Sequence, residues 1–322
     1  MKTLQKKRDN AVLFCIMMVV LLLMIVTNPG TFLTYGNFKG MAFQLPELGI
    51  LTLGMMVVMI TGGINLSIVA TANMAGITAA LVLKAMEASP VAGLVLAVMA
   101  AFAVSLAIGF FNGLLVASLG MTPILATLGT MTLFNGLAIV VTEGYVISGF
   151  SKQVLFIGNG SLAGIPFPLL LFLLSAGAMS LLLRRTRTGF SMYMLGSNET
   201  ATRFSGINTT NVLIRTYVVS GLFSGLAALV MISRFNSAKS GYGNSYLLVT
   251  ILAAVLGGVS SDGGFGKVSG VLIALVTLQL VSSGFNLLRV SSFLTTAIWG
   301  FVMIAVMIIN HEINTRKKRV QA

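Results

Sequence analysis

The sequence has little charge, one cysteine and one histidine, and each shortage excludes a class of protein. Only 8% of its 322 residues are charged, whereas soluble domains carry roughly 25%, so the chain cannot cover a water-facing surface. Cys15 has no second cysteine with which to form an intramolecular disulfide or a metal cluster. His311 is the single histidine, and neither an H-E-x-x-H pattern nor paired buried carboxylates are present. We therefore expect neither a metal site nor a catalytic site.

Apolar residues make up 57% of the chain, and the mean hydropathy is +0.99. Unbroken runs such as Val91–Phe111 suit spanning helices of about 20 residues, whereas the strands of membrane barrels are short and alternating. The sequence therefore predicts an all-α, polytopic integral membrane bundle that forms a single domain over residues 1–322. The predicted spans are 11–27, 44–61, 65–84, 90–117, 123–141, 166–183, 212–231, 246–259, 268–287 and 293–310. The eighth is short, and it either crosses fully or is re-entrant.

The net charge of +13 comes from lysines and arginines that lie mainly at the ends of the predicted spans. There they set topology rather than bind nucleic acid, which we do not expect as a partner. With ten crossings and a cytoplasmic amino terminus, most of them face the cytoplasm, including those at 2–8, 184–187 and 316–319. This is the distribution that the positive-inside rule requires. Both termini are therefore predicted to be cytoplasmic.

One polar segment, GSNETATRFSGIN (Gly196–Asn208), interrupts the apolar sequence, and we call it the polar stretch. Ser197 or Asn198 can cap a helix start by accepting a free backbone N–H, and Glu199 in the first turn suits the helix dipole. Gly206 is a natural helix stop. The pattern predicts a helix of about two turns on the cytoplasmic side. From these residues alone, an interfacial connector helix and a docking element are equally good interpretations.

Neutral polar residues recur inside the spans, where they need partners because lipid offers none. Asn65 and Ser67 either cap the next helix or contact substrate, and a threonine can bond its own backbone one turn back. We find no charged residue at a span centre, so the lining suits an uncharged polyol or sugar better than an ion. The candidate pathway residues are Asn65, Ser67, Asn73, Asn112, Thr127, Thr130, Asn135, Gln279 and Asn286.

Glycine-rich segments have structural interpretations. GFFNG (Gly109–Gly113) and GLFSG (Gly221–Gly225) have the small-residue spacing that lets membrane helices approach closely. SDGGFGK (Ser261–Lys267) is not a phosphate loop, because Ser261 occupies its first glycine position and Val268 follows the lysine. We expect it to be a cytoplasmic turn, either a plain interhelical loop or a second contact with a partner.

Five ordered motifs resemble those of the ribose/branched-sugar permease family of bacterial ATP-binding-cassette importers. They are MITGGINLSI (Met59–Ile68), MTPILATLGTMTLFNGLA (Met121–Ala138), the polar stretch, AAVLGGVSSDGGFGKVSG (Ala253–Gly270) and FNLLRVSSF (Phe285–Phe293). The first has Asn65 in place of the family's aspartate, which removes a charge and keeps a capping oxygen.

In this family the polar stretch is the coupling segment, here within residues 190–210. The chain departs from the usual pattern at Thr200, where glutamate is common, and at Thr202, where alanine is usual. The resemblance assigns ATPase coupling to Gly196, Asn198, Glu199, Ala201, Arg203, Ser205, Gly206 and Ile207.

The resemblance implies the permease subunit of an importer that carries a monosaccharide, or a similar small solute such as a furanose-type signalling molecule, across the bacterial inner membrane. It implies no cofactor in this chain, since ATP is bound by a cytoplasmic subunit present as two copies or a fused dimer. A periplasmic sugar-binding protein and a second permease, identical or related, complete the expected partners. The rivals are a stand-alone secondary transporter or channel, and an assembly factor without a conduit.

Overall fold

A computed structural model describes the backbone of residues 2–321 and the side chains of residues 11–291, 293–306 and 308. It is mainly helical, as predicted, with short strands in the connections. The helices are α1 (Lys2–Thr27), α2 (Tyr35–Ile60), α3 (Ile68–Ala85), α4 (Pro90–Ala117), α5 (Pro123–Thr142), α6 (Lys152–Asn159), α7 (Phe167–Arg185), α8 (Arg187–Ser197), α9 (Glu199–Phe204), α10 (Thr209–Phe235), α11 (Tyr246–Leu256), α12 (Val268–Leu287) and α13 (Ser292–Gln321). The strands are β1 (Ile147–Ser148), β2 (Ser161–Leu162), β3 (Ile165–Pro166) and β4 (Ser237–Ala238).

Within the described residues, seven helices are long and apolar enough to cross a membrane: α2, α3, α4, α5, α7, α10 and α12. Shorter apolar helical segments, Ala11–Thr27, Tyr246–Leu256 and Phe293–Val306, coincide with the first, eighth and tenth predicted spans. The chain is thus a polytopic helical bundle, while the count of ten crossings stays a prediction. Because α11 has only 11 residues, the eighth span is the one most dependent on its neighbours.

The bundle has two ends that differ in their connections. At the strand end, β1 pairs antiparallel with β4, and Lys84 at the end of α3 donates a hydrogen bond of 3.4 Å to the Gly149 carbonyl. At the glycine end, the turns after α2, α8 and α11 meet. Helix α2 ends at the glycine end and the next helix, α3, ends at the strand end, as two successive crossings of a membrane require. The cytoplasmic placement of both termini stays a prediction, and the basic side chains at 2–8 and 316–319 lie outside the described residues.

The helix α2 forms the centre of the bundle. It begins at Tyr35, earlier than the predicted 44, because Thr34 caps it by accepting a hydrogen bond of 3.3 Å from the Asn37 N–H. From Leu45 to Ile60 every residue is buried. A mainly apolar helix that is buried on all sides needs other helices to cover it, and here α7, α10, α11 and α12 pack around it.

Helices α4 and α10 approach each other through their glycines, which confirms the predicted close packing. A side chain at Gly109 would place its Cβ 2.6 Å from the Tyr217 carbonyl oxygen and 3.2 Å from the Cα of Gly221. Real Cβ atoms do not come this close to a backbone oxygen, so only glycine fits. The small residues bring the two backbones together, and the dispersion contacts between them replace the hydrophobic driving force that lipid does not supply.

The substitution Gly109→Val tests this contact. The valine side chain must push α4 away from α10, and overpacking of this kind costs about 1–3 kcal/mol in the free energy of unfolding. The measurement is SDS-induced unfolding of the purified protein in detergent micelles. Gly136→Val is the matched control, since a Cβ at Gly136 in α5 meets nothing within 4 Å. Equal stability of the two variants would contradict the close-packing argument.

Candidate functional site

The polar stretch folds as predicted into a short helix with its own caps. Helix α8 ends at Ser197, and Asn198 has an extended backbone that separates it from α9. The Asn198 Oδ1 accepts a hydrogen bond of 2.9 Å from the Ala201 N–H, so Asn198 is the cap. The Ser197 hydroxyl instead donates to the Tyr193 carbonyl at 2.8 Å. Gly206 follows with a φ of +78°, the left-handed conformation that ends many helices.

Most of α9 is open to the surroundings. Glu199, Ala201 and Arg203 are exposed, and the Phe204 ring is 87% exposed. An aromatic ring this open, beside charged side chains, is available to a partner. The following Ser205 is exposed and Ile207 is partly buried.

One residue of α9 is buried. Thr202 is fully buried, and its hydroxyl donates a hydrogen bond of 2.7 Å to the Asn198 carbonyl. The position that departs from the family pattern therefore faces inward rather than toward a partner. Sequence reasoning missed this role, because one turn of helix has too short a pattern to tell its buried side from its exposed side.

The glycine junction, which we define as Gly62–Gly63, Gly196 and Gly263–Gly264, holds the polar stretch against the membrane helices. The Gly264 N–H donates a hydrogen bond of 2.9 Å to the Ile60 carbonyl at the end of α2. A Cβ at Gly196 would collide with that same carbonyl and lie 2.5 Å from the Gly264 nitrogen. Backbone thus packs directly on backbone, and SDGGFGK forms the interhelical loop that closes this contact.

Tyr193 of α8 adds a side-chain contact to the junction. Its hydroxyl donates a hydrogen bond of 2.7 Å to the Gly266 carbonyl. Burial raises the pKa of Tyr193, and the nearby Arg184 opposes that effect only partly. The phenol therefore stays protonated at neutral pH and remains a donor.

Five buried residues form a directional chain of hydrogen bonds, the polar chain, beside the glycine junction. Thr130 donates to Asn112 at 2.7 Å, and Asn112 donates to Ser67 at 2.8 Å. Ser67 donates to the Asn65 Oδ1 at 2.8 Å, and the Asn65 amide donates to Ser220 at 3.0 Å. The polar chain ties the turn between α2 and α3 to α4, α5 and α10.

The hydrogen bonds of the α2–α3 turn differ from the predicted helix cap. Asn65 Oδ1 also accepts from the Ser67 N–H at 3.1 Å, so Asn65 closes the turn before α3, and Ser67 stands at the cap position without a side-chain cap bond. Thr127 supports the same turn by accepting from the Leu66 N–H at 3.0 Å. The hydrogen-bond partners of these side chains lie within the protein, where they lock the turn to its neighbouring helices, and substrate contact at this turn stays a prediction.

The remaining predicted pathway residues do not join the polar chain. Asn73 is buried in α3, and Asn135 is partly buried in α5; each has one side-chain atom without a partner among the described residues. Gln279 and Asn286 lie elsewhere again, on α12, where they line a cavity of about 240 Å³ between α2, α10, α11, α12 and α13. The nine candidates are therefore spread over several places rather than along one lining.

The expectation that no charged residue lies at a span centre was wrong for α2. Glu47 is fully buried in α2 and forms an ion pair with Arg234 near the end of α10. Both line the cavity that contains Gln279 and Asn286. Glu47 falls near the start of the predicted span 44–61, a position where charge is unremarkable. Because the helix begins at Tyr35, Glu47 lies in its interior. The sequence feature that could have predicted the ion pair was Arg234, an opposite charge at the same end of another span.

Comparison with known proteins matches nearly the whole chain. Residues 37–310 match the family described as branched-chain amino acid transport system / permease component. The ribose import permease protein of Bacillus subtilis (strain 168) is 34% identical over 296 residues, 91% of this chain and 90% of that protein. Its counterpart in Escherichia coli (strain K12) is 34% identical over 301 residues, 92% of each chain. The autoinducer 2 import system permease protein of Photorhabdus laumondii is 30% identical over 271 residues, 81% of this chain and 79% of that protein.

The polar chain predicts different effects for two threonines on one helix. Thr130→Val leaves Asn112 without its donor, and an interhelical hydrogen bond of this kind contributes about 0.6–1.7 kcal/mol to membrane-protein stability. Thr132→Val is the matched control, because the exposed Thr132 hydroxyl donates only to the Leu128 carbonyl one turn back on the same helix. We expect SDS unfolding to show a loss for Thr130→Val alone; equal losses would refute the role of the polar chain.

Proposed function

Because this chain belongs to the family of the branched-chain amino acid transport permease component, we propose that it is the membrane-spanning subunit of an ATP-driven importer. We propose a monosaccharide, or a similar small polyol-like solute, as its cargo. The relatives from Bacillus subtilis, Escherichia coli and Photorhabdus laumondii support this class, since they are permeases for the import of ribose or autoinducer 2. The amide- and hydroxyl-rich interior is compatible with an uncharged solute.

The observation that carries the proposal is the exposed helix α9. Alone in water, one turn of helix is unstable, yet here the Asn198 cap, the buried Thr202 and the glycine junction hold it in one orientation. Phe204, Glu199 and Arg203 point away from the bundle and form a small amphipathic surface. A connector helix needs no such surface, so we propose that a cytoplasmic ATP-binding subunit docks here.

The proposed complex contains two such ATP-binding subunits or a fused dimer, a second permease copy (identical or related), and an external sugar-binding protein. ATP binds to the partner and not to this chain. In the proposed cycle, nucleotide-dependent movement of the partner shifts α9 and thereby biases the bundle between two arrangements. The excess of basic residues near α9 supports a cytoplasmic location for it, in the bacterial inner membrane.

The rival function is a secondary transporter that works without an ATPase. Such proteins use ionisable residues in the membrane for coupling, and the Glu47–Arg234 pair supplies two. The expected absence of charged residues inside the membrane therefore no longer counts against a secondary transporter. What still favours the importer is α9, which a stand-alone transporter does not need.

Uptake into proteoliposomes tests the proposed function. We expect the complete transporter, with its ATP-binding subunit and binding protein, to accumulate radiolabelled D-ribose or another neutral monosaccharide from a panel only when ATP is enclosed with the ATPase. L-leucine is included because the family description names branched-chain amino acids. Equal uptake by the permease alone would overturn the importer, and uptake of leucine but no sugar would overturn the cargo class.

The substitution Phe204→Ala tests the docking surface. Removing a ring that is 87% exposed leaves the bundle unchanged but deletes the proposed anchor, and truncating such an anchor costs about 2 kcal/mol or more of binding energy. We expect co-purification of the ATP-binding subunit to fall by at least about tenfold, with ATP-driven uptake falling alongside. Phe293→Ala is the matched control, since that ring is 88% exposed at the start of α13. A loss shared by both variants, or by neither, would refute docking at α9.

A further inference from the structure

The cavity between α2, α10, α11, α12 and α13 has features that helix packing does not explain. Its volume is about 240 Å³, smaller than the roughly 300–1,000 Å³ of drug-sized sites, so it suits a small solute. It lies toward the strand end, because Arg234 ends α10 and Tyr246 begins α11 there. Glu47, Arg234, Tyr246, Gln279, Asn286 and Trp299 are among its lining residues.

Glu47 is the central group of the cavity. Its Oε1 accepts hydrogen bonds from Arg234 and, at 2.7 Å, from the Tyr246 hydroxyl. Its Oε2 is buried and has no partner among the described residues. A buried carboxylate oxygen without a donor is costly, and ionisable groups inside membrane helices commonly mark a solute path. A ligand hydroxyl would satisfy this oxygen.

The other lining groups suit the same ligand. The Gln279 amide donates to Gln44 at 3.2 Å, and Asn286 is exposed on the same helix. Both amides carry donors and acceptors, as sugar hydroxyls do. Trp299 supplies an apolar ring of the kind that packs on the C–H face of a sugar. Since Glu47 and Arg234 neutralise each other, the cavity does not select for a charged solute.

We propose that this cavity is a binding site for a neutral polyhydroxylated ring of pentose or furanose size. The inference rests on the proposed function and adds to it a location and a set of contacts. Glu47 Oε2 accepts from ring hydroxyls, and such charge-assisted hydrogen bonds are stronger than neutral ones. Gln279 and Asn286 fix the orientation of the ring, and Trp299 covers its apolar face.

Trp299 allows a direct test, because it is the only tryptophan in the sequence. Its fluorescence is measured while the purified permease in lipid nanodiscs is titrated with D-ribose. We expect a saturable change. In the Gln279→Ala variant the apparent Kd should rise by about tenfold, and Glu47→Gln should weaken binding further. Asn28→Ala is the matched control, since it removes another buried amide that does not line the cavity.

The outcomes separate the site from the proposed function. If the complete transporter imports ribose but ribose leaves the Trp299 fluorescence unchanged, or if Gln279→Ala and Asn28→Ala behave alike, the site is wrong and the function stands. If L-leucine or ribose 5-phosphate gives the stronger response, the neutral ligand class is wrong. If Trp299 responds as expected but ATP-driven uptake is absent, the site stands and the proposed function is wrong.

Discussion

A polar group inside a bilayer must find its partner within the protein, and this constraint organises the centre of the molecule. The polar chain meets it in one direction, from Thr130 through Asn112, Ser67 and Asn65 to Ser220. Three of the four links join different elements, so the bonds that satisfy the polar groups also fix the positions of α4, α5 and α10 around the α2–α3 turn. The same hydrogen bonds therefore satisfy the buried polar groups and position the helices.

Glycine connects this interior to the exposed surface. The carbonyl of Ile60, at the end of α2, accepts from Gly264 and leaves no room for a side chain at Gly196. Asn65 follows only five residues after Ile60. Since these backbone contacts are too tight to absorb a displacement, they provide a short route for the proposed coupling between α9 and the polar chain. The shortness of this route makes α9 a suitable point for an external protein to act on the bundle.

The sequence predicted the structural features that depend only on neighbouring residues. Asn198 as a cap, Gly206 as a stop and the glycine spacing of α4 and α10 follow from neighbouring residues, and the structure has each of them. The sequence also identified the buried amides Asn73, Asn112 and Gln279, but not Ser220, which ends the polar chain. It did not separate Asn112, which bridges helices, from Gln279, which lines a cavity, because that difference depends on which helices become neighbours.

The errors have the same origin. Glu47 was missed because a charge near the start of a span is unremarkable until the helix is seen to begin at Tyr35. Its partner Arg234 lies 187 residues away, beyond any pattern that periodicity detects. Thr202 was read as a departure from a motif, whereas its burial makes it the inner contact of α9. Long-range pairing and the buried side of a single turn are properties of the folded chain.

The two ends of the bundle impose different requirements on a transport cycle. Toward the strand end the cavity already provides space for a small solute, whereas the polar chain closes the region beside the glycine junction. Release on that side requires the polar chain to open. Interhelical hydrogen bonds in membranes contribute about 0.6 kcal/mol each on average, so opening costs a few kcal/mol. A partner has to favour the open arrangement by about 5.5 kcal/mol to move the population from 1:99 to 99:1. In the proposed cycle, the polar chain would therefore keep the bundle closed at rest, and a docked partner would supply enough free energy to open it.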